Sequence, residues 1–160
     1  MNDSLLDSTR WSGRRVATLL CALALSLALA GCDDYPRDPE RTTEQVRDSG
    51  RLRAGIIATG KGLEEGERAL TERIATAQNA ESMIESGSAE TLLRKLRRGE
   101  LDIVVGYFAG DSPWKRKVAF TKPKGGARSE SEVSVLRAAV RRGENRWLTL
   151  VERTVTEDGQ

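Results

Sequence analysis

The sequence predicts an α/β fold: a largely parallel sheet with helices on its faces. Two observations carry this. Compact apolar runs of strand length, residues 52–57 (LRAGII) and 101–105 (LDIVV), alternate along the chain with segments whose leucines recur at helical spacing. Those helical segments also carry their own start and stop residues, so strand and helix take turns rather than grouping into separate regions.

Taken in order, Asp38-Pro39 reads as a helix N-cap with Pro at the first helical position, opening a short helix that ends near Gly50. Residues 52–57, followed by Gly60 and Gly62, read as a buried strand. From Leu63 the period changes, and Leu63, Leu70, Ile74 and Ala77 share one face of a helix. A strand is expected over 80–84. Ser88 then caps a helix in which Ala89, Leu92, Leu93 and Leu96 form the apolar stripe. Arg94, Lys95, Arg97 and Arg98 crowd its last turns, where cations complement the helix dipole, and Gly99 stops it. That basic cluster reads as capping and solvation rather than as a binding patch.

Residues 101–105 give the strongest strand signal, with 106–114 read as a loop at its C-terminal end. A short extended piece covers 118–121. Residues 122–132 (KPKGGARSESE) are polar, with Pro and paired Gly, and read as a flexible connection. Residues 133–140 form another strand, Gly143 breaks it, and Glu144 or Asn145 starts a last helix with Trp147, Leu148, Val151 and Val155 facing inward.

Ahead of these elements lies an export signal. Arg10, Arg14 and Arg15 supply a positive n-region, and residues 16–30 are an uncharged run rich in Leu and Ala, shorter than the roughly 20 residues a spanning helix needs. The run ends in Leu29-Ala30-Gly31-Cys32, which resembles the bacterial lipobox over all four of its residues. Residues 1–31 are therefore expected to be a lipoprotein signal peptide, with Cys32 lipidated as the new N-terminus. Residues 32–40 (its last eight DDYPRDPE) read as a tether, and 41–157 as the folded lobe. Asp33 beside the lipidated Cys resembles an inner-membrane retention signal, so the expected location is the bacterial cell envelope, lipid-anchored outside the cytoplasmic membrane.

Composition excludes several classes of function. The chain has 26 basic and 24 acidic residues, a balance that gives no case for nucleic-acid binding. It has no histidine, which removes Ser-His-Asp and Cys-His nucleophiles and His-ligated metal sites. Cys21 falls in the signal and Cys32 takes the lipid, so no disulfide is expected. No enzyme activity, catalytic residue, metal or cofactor is expected.

The order of elements and three motifs resemble the extracellular solute-binding proteins of family 3, the substrate-binding components of amino-acid-type ABC transporters. The motifs are LRAGI at 52–56, TLLRKLRRGELDIVVGYFAGDSPWKRKVAFTKP at 91–123 and GENRWLTLVERTV at 143–155. The resemblance implies a single-lobe, periplasmic-binding-protein-like (type II) three-layer sandwich. Family members have two lobes and bind solute between them; here residues 122–132 stand in place of the second lobe. The family commonly holds an α-carboxylate with Thr and Arg after the third strand. In this sequence Ala109 falls where that Thr would be, and Trp114 or Lys115 near the Arg. What the resemblance leaves as candidate solute-binding residues are Tyr107, Phe108, Asp111, Ser112, Trp114 and Lys115, at the strand end where open α/β sheets place ligands.

The expected function is that of a membrane-anchored, substrate-binding-like lipoprotein of an ABC-type uptake system, shortened from two lobes. Its expected partners are an amino-acid-like solute, an ABC permease and the membrane through the lipid. The alternative is an envelope interaction or sensory module that binds a protein partner and no solute.

Overall fold

Apolar alternation along the strands divides the interior into two cores, one on each face of a five-stranded sheet. A computed structural model describes residues 37–58, 65–123 and 134–156. The signal peptide, Cys32 and most of the tether lie outside the described residues, as do 59–64 and 124–133. The elements are α1 (Thr42–Ser49), β1 (Arg51–Ile57), α2 (Glu65–Ala77), β2 (Glu81–Gly87), α3 (Ala89–Arg98), β3 (Ile103–Phe108), β4 (Val118–Phe120), β5 (Val135–Arg141) and α4 (Asn145–Thr156). A 3-10 turn, Pro113–Arg116, leads into β4.

The strand order is β2-β1-β3-β5-β4. β1 runs parallel to β2 on one side and to β3 on the other, while β5 runs antiparallel to both β3 and β4. Residues 121–134 join β4 to β5, and the two strands pair antiparallel. Thr121 extends the pairing, donating its N–H to the Ala138 carbonyl (2.9 Å) and accepting the Ala138 N–H on its hydroxyl (3.1 Å).

Because side chains on a strand alternate, Leu52 and Ala54, Ile103 and Val105, and Ala138 and Val140 face one layer. There they pack with Val46 of α1, Leu70, Ile74 and Ala75 of α2, and Trp147, Val151 and Val155 of α4. The other face carries Val104, Phe108, Val118 and Ala139 under Leu92, Leu93 and Leu96 of α3. The result is the three-layer α/β sandwich expected from the sequence, with a mixed sheet in place of the largely parallel one, since β5 pairs antiparallel with both β3 and β4.

Local signals account for the ends of α3. The Ser88 hydroxyl accepts the Thr91 N–H at 3.3 Å, and Gly99 closes the helix in the left-handed region at φ 76°. Three of its four basic residues form ion pairs: Lys95 with Glu85, Arg98 with Glu100 and Arg94 with Glu90. The Arg98 hydrogen bond holds the Glu100 carboxyl below its ordinary pKa.

Three further expectations shift. β3 continues through Gly106, Tyr107 and Phe108, which the sequence reads as loop, because β5 pairs with all three. In α2 the buried face is Glu67, Leu70, Thr71, Ile74 and Ala75, so Ala77 falls on the exposed side. α1 begins at Thr42, after a turn in which the Arg41 N–H reaches the Asp38 carbonyl (2.9 Å).

Two carboxylates fasten the start of the lobe to α4. Asp38 accepts the backbone N–H groups of Thr43 (3.2 Å) and Trp147 (2.9 Å) and the Thr43 hydroxyl. Glu144, almost wholly buried, accepts the N–H groups of Glu40 (2.9 Å) and Thr42 (3.0 Å). Each acid thus satisfies N-terminal donors of the helix that the other segment precedes.

Candidate functional site

The C-terminal ends of the parallel strands carry the residues that the sequence singles out, and β3 distributes them by its alternation. Tyr107 lies opposite Leu136 and is 49% exposed. Phe108, one residue on, points to the other face, opposite Val135, and is buried. Its ring meets that of Phe120 with centroids 4.7 Å apart, tilted by 52°. The pair bridges over β5, since Phe120 belongs to the strand on its far side.

Beyond β3 the chain turns tightly. The Ser112 N–H reaches the Ala109 carbonyl (3.2 Å), and the Ser112 hydroxyl accepts the Trp114 N–H (3.4 Å), opening the 3-10 turn. Trp114 packs on the α3-side core, with the Lys117 ammonium 5.0 Å from its ring centroid. Asp111 is exposed at the loop. Tyr107, Asp111 and Ser112 therefore sit at the rim, Phe108 and Trp114 pack into the core beneath the other face, and Lys115 is exposed on the approach to β4.

Lys115 borders a second feature, which the sequence reading passes over. An open groove of about 470 Å³ follows β4, lined among others by Lys115, Phe120, Arg137, Arg142, Gly143 and Asn145, with no carboxylate among the described residues that line it. Arg137 is the unusual member. It stands mid-strand in β5, opposite Gly106, and is only 8% exposed. Its Nε is buried without an acceptor among the described residues. Burial lowers its guanidinium pKa from the ordinary value, because the charged form is partly stripped of water. One signal could have found it: an arginine flanked on both sides by apolar residues within the strand VLRAAVR.

At the opposite end of the sheet a wider hollow, about 710 Å³, is bordered by Gln45, Asp48, Ser49, Arg53, Met83 and Asp102. Its charges are matched. The Asp102 carboxylate accepts the Arg53 N–H (2.9 Å) and Nε–H (3.0 Å), and the Arg53 pKa is raised chiefly by that hydrogen bonding. Among the described residues no group of three or more acidic or cysteine side chains is placed to hold a metal ion, and no helix is long and apolar enough to cross a membrane.

This architecture is a single lobe of the periplasmic-binding-protein type, and solved structures share it. The arginine-bound form of domain 1 from TmArgBP superposes with a TM-score of 0.60 at 18% identity, over 69% of this chain and 95% of that one. An amino acid ABC transporter substrate-binding protein from Streptococcus pneumoniae, bound to L-arginine, gives 0.59 at 10% identity, over 71% of this chain and 90% of that one. An ancestral amino acid-binding protein described as a precursor of cyclohexadienyl dehydratase gives 0.57 at 13% identity, over 71% and 91%. At such identities the likeness is one of fold. No family model and no curated protein matches the chain.

Proposed function

We propose that this protein is a substrate-binding-like component of an amino-acid-type uptake system, tethered to the bacterial envelope by a lipid on Cys32. One observation carries the reading: the fold matches nearly the whole of a single domain whose structure is an arginine-bound form. A lone lobe of this type therefore need not be an idle half. The solute would rest on the rim at the C-terminal end of β3. Tyr107 offers an exposed ring to an aliphatic or cationic side chain. Asp111 offers a carboxylate to an ammonium or guanidinium group, and Ser112 a hydroxyl. Phe108 and Trp114 form the floor under the other face.

With only residues 121–134 between β4 and β5, the chain supplies no opposing lobe from within that connection. The site is an open shelf, and affinity is expected to be modest unless a permease completes it. Thermal unfolding of the full chain, with arginine and the other amino acids at millimolar concentration, tests the reading. A raised midpoint with at least one of them, lost in Tyr107→Ala and Asp111→Asn, is the expected result. No shift with any amino acid would sink solute binding by the isolated chain. The anchor has its own test: Cys32→Ser should leave the protein unlipidated by mass spectrometry, and a lipid mass persisting in that variant would exclude Cys32 as its site.

A further inference from the structure

The basic groove along β4 has chemistry that neither the rim nor the packing of the lobe uses. Arg137 projects from the same face of β5 as Ala139, and so toward the α3 layer. Its neighbour on β3 is Gly106, where an added Cβ would come within 2.7 Å of Ile57. Its flanking strands contribute the tilted ring pair of Phe108 and Phe120. An arginine in apolar surroundings ordinarily finds a carboxylate or a carbonyl, because an unpaired buried charge is among the costliest groups a fold can carry. A simple snorkelling arginine would bury its stem and keep its head in water. Here the Nε itself is buried and unbonded among the described residues, while the side chain lines the groove.

Among the described residues the surroundings add donors and no acceptor charge. Lys115 and Arg142 are exposed cations on the same groove, and Asn145 adds a side-chain amide at the start of α4. Arg142 is steadied by a 2.8 Å bond to the Arg116 carbonyl. Elsewhere on the lobe cations stand against acids, as Arg53 does with Asp102 and Lys95 with Glu85. Among the described residues that line this groove none is an acid.

We propose that the groove is an oxyanion site for a phosphate-type group, with the Arg137 guanidinium at its base and Lys115 and Arg142 at its mouth. The planar guanidinium presents paired N–H donors to two oxygens of one anion. Three cations, with no carboxylate among the described lining residues, suit the several oxygens of a phosphate group better than a single carboxylate. Such a group can come from a soluble phosphate ester or from a phospholipid headgroup. The site is separate from the amino-acid reading of the rim, with which it shares only Lys115.

Calorimetric titration of the full chain in nonionic detergent, at fixed ionic strength in chloride, tests it with two probes. Inorganic phosphate stands for the soluble source, and glycerophosphoglycerol for a headgroup stripped of its acyl chains. Binding of at least one probe is expected, weakened about ten- to a hundredfold in Arg137→Met, as befits loss of a charge-assisted hydrogen-bonding group. Tighter binding of phosphate assigns the site to soluble esters, and tighter binding of glycerophosphoglycerol to lipid. No binding of either probe, or equal binding by Arg137→Met, overturns the proposal. Should that variant not fold, the Lys115→Gln, Arg142→Gln double variant decides: weakened binding supports the site and unchanged binding refutes it.

Discussion

The indole N–H of Trp147 donates to the backbone carbonyl of Asp102 at 2.9 Å, joining the first turn of α4 to the residue that precedes β3. Trp147 is wholly buried. Trp147→Phe should keep most of the packing but orphan that carbonyl, lowering stability by about 1–3 kcal/mol. Trp147→Ala adds a cavity and should cost about 3–5 kcal/mol. Urea unfolding checks both, and equal stabilities for the Phe variant and the parent would show that the bond contributes nothing.

The two-carboxylate clasp should behave as one unit. Asp38→Ala removes the acceptor for the Thr43 and Trp147 N–H groups, and Glu144→Ala that for Glu40 and Thr42. Each should cost about 1–2 kcal/mol, in the range of helix-cap deletions. Together they should cost less than the sum, since releasing either side frees the same segment. Full additivity would mean that the two acids act independently.

Gly106 is required by a close approach. Ile57 lies over it, with Cδ1 2.7 Å from where a Cβ would stand. Gly106→Ala should destabilise by about 1–3 kcal/mol through overpacking. Ile57→Val, which removes the nearest atom, should recover part of that loss. The same penalty in both backgrounds would place the strain elsewhere.

Arg137→Met should raise the urea midpoint, since it replaces a desolvated charge by an apolar side chain of similar length. The pH dependence follows from the direction of its shift. The folded pKa lies below the unfolded one, so the folded state holds this proton less tightly. The penalty is then present at every pH below the folded value and eases only under strongly alkaline conditions. The gain from Arg137→Met should therefore be constant between roughly pH 5 and pH 9, far from the arginine range. A gain that varied across that interval would implicate another group.

Where apolar identity suffices, the sequence is legible. The cores of β1 and β3 and the stripe Leu92, Leu93 and Leu96 follow from hydrophobicity and period alone, and Ser88 and Gly99 mark the ends of α3. What is hidden depends on partners distant in the chain. Gly106 interrupts the apolar run after Val105, yet Gly106, Tyr107 and Phe108 are strand because β5 lies beside them. That same change sends Tyr107 and Phe108 to opposite faces, so six candidates between 107 and 115 do not converge as a loop would allow. In α2, Glu67 and Thr71 are buried, whereas Ala77, which period alone would favour, is exposed. Arg137 is visible as a charge among apolar strand residues, but its burial, opposite Gly106 of β3, depends on elements distant in the chain.

The Asp38–Glu144 clasp also sets how a pull would enter the domain. Tension on the chain ahead of Pro39, such as a lipid tether would exert, meets the carboxylate bonds at Asp38 before it reaches any strand. Because Asp38 grips the Trp147 N–H of α4 as well as Thr43, the load passes to the last helix and is shared across the layer. The sheet, with its rim and its groove, would then be shielded from drag at the membrane until the clasp gives way.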